Sequence, residues 1–258
     1  MIDTEPGNRP AITNATNPPP DLNLYVVDSG RISDQDVCHF VGLLSPQEKN
    51  RLARLRRKTT RRQFVIGRGL LRTELSKRLS CSPGSVAIEI TPAGKPFLVH
   101  GTLQFNLSHS RERVALAIGR CGCLGVDIEY ASDGRDLLSI ARAVFPDHEW
   151  HQMQSLCKDT LVKRFYRNWT LYEALIKAEG GSIHSVFTRP RYRSAMTENK
   201  NESTTGGQSR WRYRHLLLRG GYHLGLAARG IPDSVMNGIQ AVEWIADTVP
   251  GIEGALSR

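Results

Sequence analysis

The sequence predicts an α+β protein made of two similar halves, and three observations predict it. Two long segments, residues 61–79 and 160–178, carry apolar side chains at helical spacing. Short apolar runs of strand length follow the first helix and recur after the second. The late run, residues 222–228, echoes the earlier one at 114–118, so element order rather than residue identity carries the duplication. A chain of 258 residues, 40% hydrophobic and 23% charged, suits one large domain or two small ones and has enough apolar mass for a core. The expected organisation is a flexible leader over 1–20, an N-terminal half over 21–122, a C-terminal half over 123–232 and a tail over 233–258.

Taken in order, the leader ends in Pro18, Pro19 and Pro20, and the apolar run at residues 24–27 reads as the first strand. Ser45, Pro46 and Glu48 then form a helix start, with Ser at the N-cap, Pro at the first helical position and Glu three residues after the cap. That helix should run to about Lys58. The helix at 61–79 has its apolar stripe on Phe64, Ile66, Leu70, Leu71 and Leu75. Strands are expected near 86–90, 103–106, 114–118 and 124–128. Asp159 is the candidate cap of the second long helix, whose Phe165, Trp169, Tyr172 and Ile176 recur at spacings of four, three and four. Residues 195–209 are polar and rich in Gly, Ser and Thr, which predicts a mobile loop. After Ile231 the tail has room for one more short helix.

The net charge is +10, and it is concentrated. Within residues 51–78 nine Arg and two Lys face the single acid Glu74, a local excess of ten that equals that of the whole chain. Such a segment attracts polyanions, whether nucleic acid, an acidic protein or a phosphate-rich cofactor, or else is a solvated helix face. No stretch approaches the roughly 18 consecutive apolar residues of a membrane span, and the N-terminus lacks a basic start and apolar run, so a cytoplasmic protein is expected. The five cysteines are odd in number and contain no Cys-x-x-Cys pair, which fits a reducing compartment and argues against zinc.

Asp127 and Glu129 lie two apart in a strand, so both carboxylates point to one face. Two like charges so close call for a hard divalent cation, unless the strand end is exposed and the acids are solvated. Trp169, Glu173 and Lys177 follow at four-residue spacing and share one side of their helix. Glu173 could add a third oxygen and Lys177 could reach a phosphate, or the two could be a surface ion pair. Ser108 and His109, in Phe105–Ser110, are read as sitting where a strand gives way to a turn, a place that holds a phosphate or is merely a polar turn. Gly94, Lys95 and Pro96 read as a turn between strands.

The order of these pieces, GKP, FNLSHS, GVDIE and FYRNWTLYEALIKAEG, resembles the surfactin-synthetase-activating type of 4′-phosphopantetheinyl transferase, from about residue 43 to 228. The resemblance implies a monomer of two α+β halves related by a pseudo-twofold axis, with coenzyme A in the cleft between them and magnesium or manganese beside it. Carried over, Asp127, Glu129 and Glu173 are the metal ligands, and Lys177 is the catalytic lysine near the pyrophosphate. Ser108 and His109 contact the 3′-phosphate, Lys95 and Pro96 lie beside the adenine, and Arg62 helps hold the nucleotide phosphates, with Gln63 at a position that is often Arg. Glu149 resembles a glutamate proposed as a base, and Glu173 or a metal-bound water could equally take the serine proton. Tyr172 stands where the family usually has a Lys, which removes one phosphate-facing charge. The implied reaction moves phosphopantetheine to a serine of an apo carrier protein of fatty acid, polyketide or non-ribosomal peptide synthesis and releases adenosine 3′,5′-bisphosphate. Acidic carriers would be steered by the basic surface.

Two other classes compete. A nucleic-acid-binding module would use the basic segment but leaves the acidic constellation unexplained. A metal-dependent nuclease could use Asp-x-Glu with a distant Glu and Lys, but its common strand signature wants a Lys two residues after the acid, and none follows Glu129.

Overall fold

The computed structural model describes residues 20–92, 94–99, 101, 103–132, 134–181 and 210–244. The expected leader, apart from Pro20, and the expected loop at 195–209 lie outside the described residues.

The chain begins with β1 (Leu22–Asp28) and three helices, α1 (Asp34–Leu43), α2 (Pro46–Arg54) and α3 (Lys58–Leu79). A small ribbon, β2 (Ile88–Ile90) and β3 (Pro96–Leu98), precedes β4 (Leu103–Ser110), β5 (Arg113–Arg120) and β6 (Cys123–Tyr130). Then come α4 (Leu137–Val144), α5 (Asp147–Gln154), α6 (Lys158–Ala178), β7 (Trp211–Leu218), β8 (Tyr222–Arg229), α7 (Asp233–Gly238) and β9 (Ala241–Glu243).

The Ser45 capping box forms as the sequence predicts: the Ser45 hydroxyl accepts from the Glu48 amide and the Glu48 carboxylate accepts from the Ser45 amide. The helix stops at Arg54, short of the expected Lys58, because Arg61 donates to the carbonyls of Leu52 and Leu55 and closes its C-terminus. Likewise α6 starts at Lys158, two residues earlier than a cap at Asp159 would place it. Cys157 is its N-cap, and Asp159 sits in the first turn, where a carboxylate complements the helix dipole.

Two sheets stack between two long helices. The first has strand order β4-β5-β1-β9, and the second has β6-β8-β7. In the first sheet β1 runs antiparallel to β5 and parallel to β9, so chain from the C-terminal end completes the N-terminal sheet. Residues 233–244 of the expected tail thus carry α7 and β9, with Trp244 buried beside Phe40.

Strand alternation sorts the core into three layers. Val27, Val114, Leu116 and Ile118 meet Ile66, Leu70 and Leu71 of α3. On the opposite face Leu24, Val26, Ala115 and Ala117 meet Leu124, Val126, Ile128, Leu224 and Leu226 of the second sheet. Phe165, Tyr172, Leu175 and Ile176 of α6 close the far side with α4 and α5. Two glycines let α6 lie directly on the second sheet: a Cβ at Gly125 would come within 1.9 Å of the Ala174 carbonyl oxygen, and one at Gly225 within 2.3 Å of that of Thr170.

Candidate active site

That close approach brings α6 over β6. Asp127 and Glu129 project from β6 on the same face as Gly125, toward the helix, as period two requires. Lys177 Nζ lies 2.6 Å from Asp127 Oδ1 and 3.0 Å from Ser108 Oγ. Ser108 donates to Asp127 Oδ1 at 2.9 Å, and Ser110 donates to Glu129 Oε2 at 2.8 Å. Asp127 Oδ2 is buried with no hydrogen-bond partner.

The electrostatics are strained toward positive charge. Burial, with the Asp127 and Glu129 carboxylates adding to it against Lys177, pushes Glu173 up to about 7. Burial and Asp127 also raise Glu129. Lys177 is raised: burial opposes its charge, but the pull of Asp127, Glu173 and Glu129 outweighs it. Two glutamates held above their ordinary range beside Asp127, with one orphaned buried oxygen, fit a hard divalent cation in charge and donor type. Among the described residues, no group of three His, Cys, Asp or Glu side chains stands at metal-binding spacing, and Lys177 is the cation on Asp127.

Beside this cluster a cavity of about 270 Å³ opens between α2, α3, the Gly94–Pro96 turn and β4. Pro96, Ser108 and His109 line it, as do Arg51, Phe64 and Arg68, to which sequence reasoning gave no place in a site. The Phe64 ring is flanked by two guanidinium groups, Arg51 at 5.7 Å and Arg68 at 5.6 Å. Arg68 is 5% exposed, its Nη1 is buried with no partner, and Glu48 stands 3.5 Å from its Nε. Burial lowers its pKa, with Glu48 opposing. Burial and the charge of Lys177 lower that of His109. The signal for Arg68 was its place one turn from Phe64 inside an apolar stripe, where a charge must have a reason.

Several expected site residues are placed otherwise. Ser108 and His109 lie within β4 rather than at its end, because the strand continues to Ser110, and their side chains leave opposite faces. The Ser108 hydroxyl is engaged with Asp127, Lys177 and the Ile128 amide. Lys95 does not line the cavity: its ammonium caps α6, donating to the Ala178 carbonyl at 2.8 Å and that of Leu124 at 3.4 Å. Arg62 holds the turn before α1 through Asp34 and the carbonyls of Ser29 and Ile32. Glu149 Oε2 accepts from Arg164 at 3.0 Å and Asn168 at 2.9 Å, on the part of α6 that precedes Glu173. Tyr172 is buried against Phe145, within the apolar cluster that α6 forms with α4 and α5.

The basic segment divides in the same way. Arg61, Arg62, Arg68, Arg72 and Arg78 bond inside the fold, Arg72 to Glu48 and to the Pro83 and Val86 carbonyls, Arg78 to Asp21 and Asn23. Arg51, Arg54, Arg56, Arg57 and Lys58 remain exposed around the junction of α2 and α3.

Comparison with known proteins gives the family. Residues 123–227 match the family described as the 4′-phosphopantetheinyl transferase superfamily, and residues 5–120 match the 4′-phosphopantetheinyl transferase N-terminal family. The 4′-phosphopantetheinyl transferase HetI of Nostoc sp. is 35% identical over 175 residues, covering 64% of this chain and 74% of that protein. The L-aminoadipate-semialdehyde dehydrogenase-phosphopantetheinyl transferase of Xenopus laevis is 26% identical over 204 residues, 71% of this chain and 68% of that one. The 4′-phosphopantetheinyl transferase AcpT of Salmonella typhi is 37% identical over 127 residues, 49% of this chain and 62% of that one. With the GVDIE strand, the Glu173–Lys177 helix and relatives of this name along most of its length, the chain belongs to the 4′-phosphopantetheinyl transferases, enzymes that transfer the phosphopantetheine arm of coenzyme A to carrier proteins.

Proposed function

We propose that Asp127, Glu129 and Glu173 hold a divalent cation, magnesium or manganese, where the pyrophosphate of coenzyme A enters from the cavity beside α3. The orphaned, buried Asp127 Oδ2 carries this reading, since an unpaired carboxylate oxygen among raised acids is a donor without its cation. When bound, the ion neutralises the pyrophosphate and polarises the phosphorus under attack.

The rest is the work of this chain. The cavity excludes water from one side of the nucleotide, with Phe64, Arg51, Arg68 and Pro96 around the adenosine end and its phosphate. His109, on that face of β4, offers a ring nitrogen to the same phosphate. The serine hydroxyl oxygen of the carrier bonds to the β-phosphorus, and the bond from that phosphorus to the bridging oxygen breaks. The electron pair leaves with adenosine 3′,5′-bisphosphate, and Lys177 stabilises its new charge. Glu149 is tied to Arg164 and Asn168, which leaves Glu173 or a water at the site to take the serine proton. The exposed cluster from Arg51 to Lys58 steers acidic acyl, polyketide or peptidyl carrier domains toward the site.

The deciding experiment is the intact mass of an apo carrier protein after incubation with this enzyme, coenzyme A and magnesium. A gain of one phosphopantetheine is expected, lost with Glu173→Ala and with a chelator. Transfer that survives chelation would overturn the metal reading, and no transfer to several unrelated carriers would overturn the reaction.

A further inference from the structure

The edge strands β4 and β6 belong to different sheets and share no backbone hydrogen bonds, yet they lie side by side. What joins them is a ladder of β4 side chains. Asn106, Ser108 and Ser110 alternate along β4 on the face turned to the second sheet. Each accepts a hydrogen bond from an edge amide of β6: Asn106 Oδ1 from Val126 at 2.9 Å, Ser108 Oγ from Ile128 at 3.3 Å and Ser110 Oγ from Tyr130 at 3.1 Å. An amide that occupies a hydroxyl lone pair directs the hydroxyl proton elsewhere. In both serine rungs that proton goes to a carboxylate, Asp127 from Ser108 and Glu129 from Ser110.

The rungs differ in what else holds the acid. Asp127 is also gripped by Lys177, 2.6 Å away. Glu129 is longer, less buried, and has Ser110 as its hydrogen-bond donor among the described residues. We infer that Ser110 is a positioning residue: clamped by the Tyr130 amide, its hydroxyl fixes the Glu129 carboxylate toward the cation site. This rests on the reading of Asp127, Glu129 and Glu173 as the cation's ligands. The ladder also explains why a serine two residues past Ser108 suits this strand. Register puts a carboxylate opposite each serine, and Gly125, over which α6 passes, beside the asparagine rung.

The test is binding of Mn²⁺ to the full-length protein without coenzyme A or carrier, read from the electron paramagnetic resonance signal of free Mn²⁺, for wild type, Ser110→Ala and Ser110→Thr. Thermal melting of each in chelator reports the fold. Loss of an outer hydrogen bond to a ligand weakens metal binding by about tenfold or more, so Ser110→Ala should bind at least about tenfold more weakly while still melting cooperatively in chelator, lowered only by the loss of the Tyr130 rung. Ser110→Thr, which keeps the hydroxyl, should recover most of the affinity. In turnover, Ser110→Ala should need more Mg²⁺ for half-maximal rate and regain most of kcat at saturating Mg²⁺. Equal Mn²⁺ affinity in wild type and Ser110→Ala, or no recovery in Ser110→Thr, would overturn the positioning role alone. No Mn²⁺ uptake by wild type would overturn the ligand assignment beneath it.

Discussion

At the scale of single residues, Glu173 is held far from its ordinary ionisation. Its pKa in the folded chain is about 7, against 4.5 for the free side chain, because burial and then Asp127 and Glu129 disfavour its charge while Lys177 opposes them. Between those two values the folded state binds a proton that the unfolded state releases. Stability therefore falls as pH rises from about 4.5 to about 7, by at most about 3 kcal/mol, and the cost is fully present above that window. In chelator, the wild-type melting temperature should drop between pH 5 and 7.5, while Glu173→Gln should flatten the profile and melt higher at pH 7.5. Added Mg²⁺ should raise the wild type at pH 7.5 and raise Glu173→Gln less. A wild-type profile in chelator as flat as the variant's would show that Glu173 ionises freely. The pairing of Asp127 with Glu129 was legible from sequence because period two is local. The role of Lys95 was not, since its acceptor, the Ala178 carbonyl, lies 83 residues away.

At the scale of elements, the site depends on how closely α6 lies on β6 and β8. Helix and strand periodicities announced both elements, but neither announced their separation, which Gly125 and Gly225 set by having no Cβ. Gly125→Ala would drive a methyl into the Ala174 carbonyl, a backbone atom that cannot rotate away. We expect a loss of about 2–4 kcal/mol in denaturant unfolding, and transferase activity lost beyond that, since Glu173 and Lys177 move with the helix. The control is Gly42→Ala in α1, where a Cβ meets nothing within 4 Å, and it should leave stability equal or higher. Gly125→Ala with wild-type stability would mean that α6 is not held at this distance. The shorter helices α1, α4 and α5 escaped sequence reading because eight to ten residues give too few repeats of a 3.6-residue period to stand out.

At the scale of the whole molecule, the chain stacks α3, two sheets and α6, and draws β9 back from its C-terminal end to edge the first sheet. Among the described residues no helix is long and apolar enough to cross a membrane. The exposed cations from Arg51 to Lys58 gather at one corner, beside the mouth of the cavity. If they steer an acidic carrier, the KM for carrier should rise with ionic strength, and Arg54→Ser with Arg56→Ser should raise it at low salt and hardly at high salt. A KM that stays flat with salt would remove that role. By itself the sequence determined the Ser45 capping box, the two long helices, the strands from β4 to β6, the shared face of Asp127 and Glu129, the Glu173–Lys177 step and the family, because each depends on residues a few positions apart or on motif order. Only the tertiary structure decided which cations are surface and which are buried beside Glu48, where Lys95 and Arg62 bond, that Ser108 serves Asp127, and how far Glu173 is perturbed. Those depend on which elements become neighbours and on how much water their packing removes, and neither is encoded within a few residues of the group concerned.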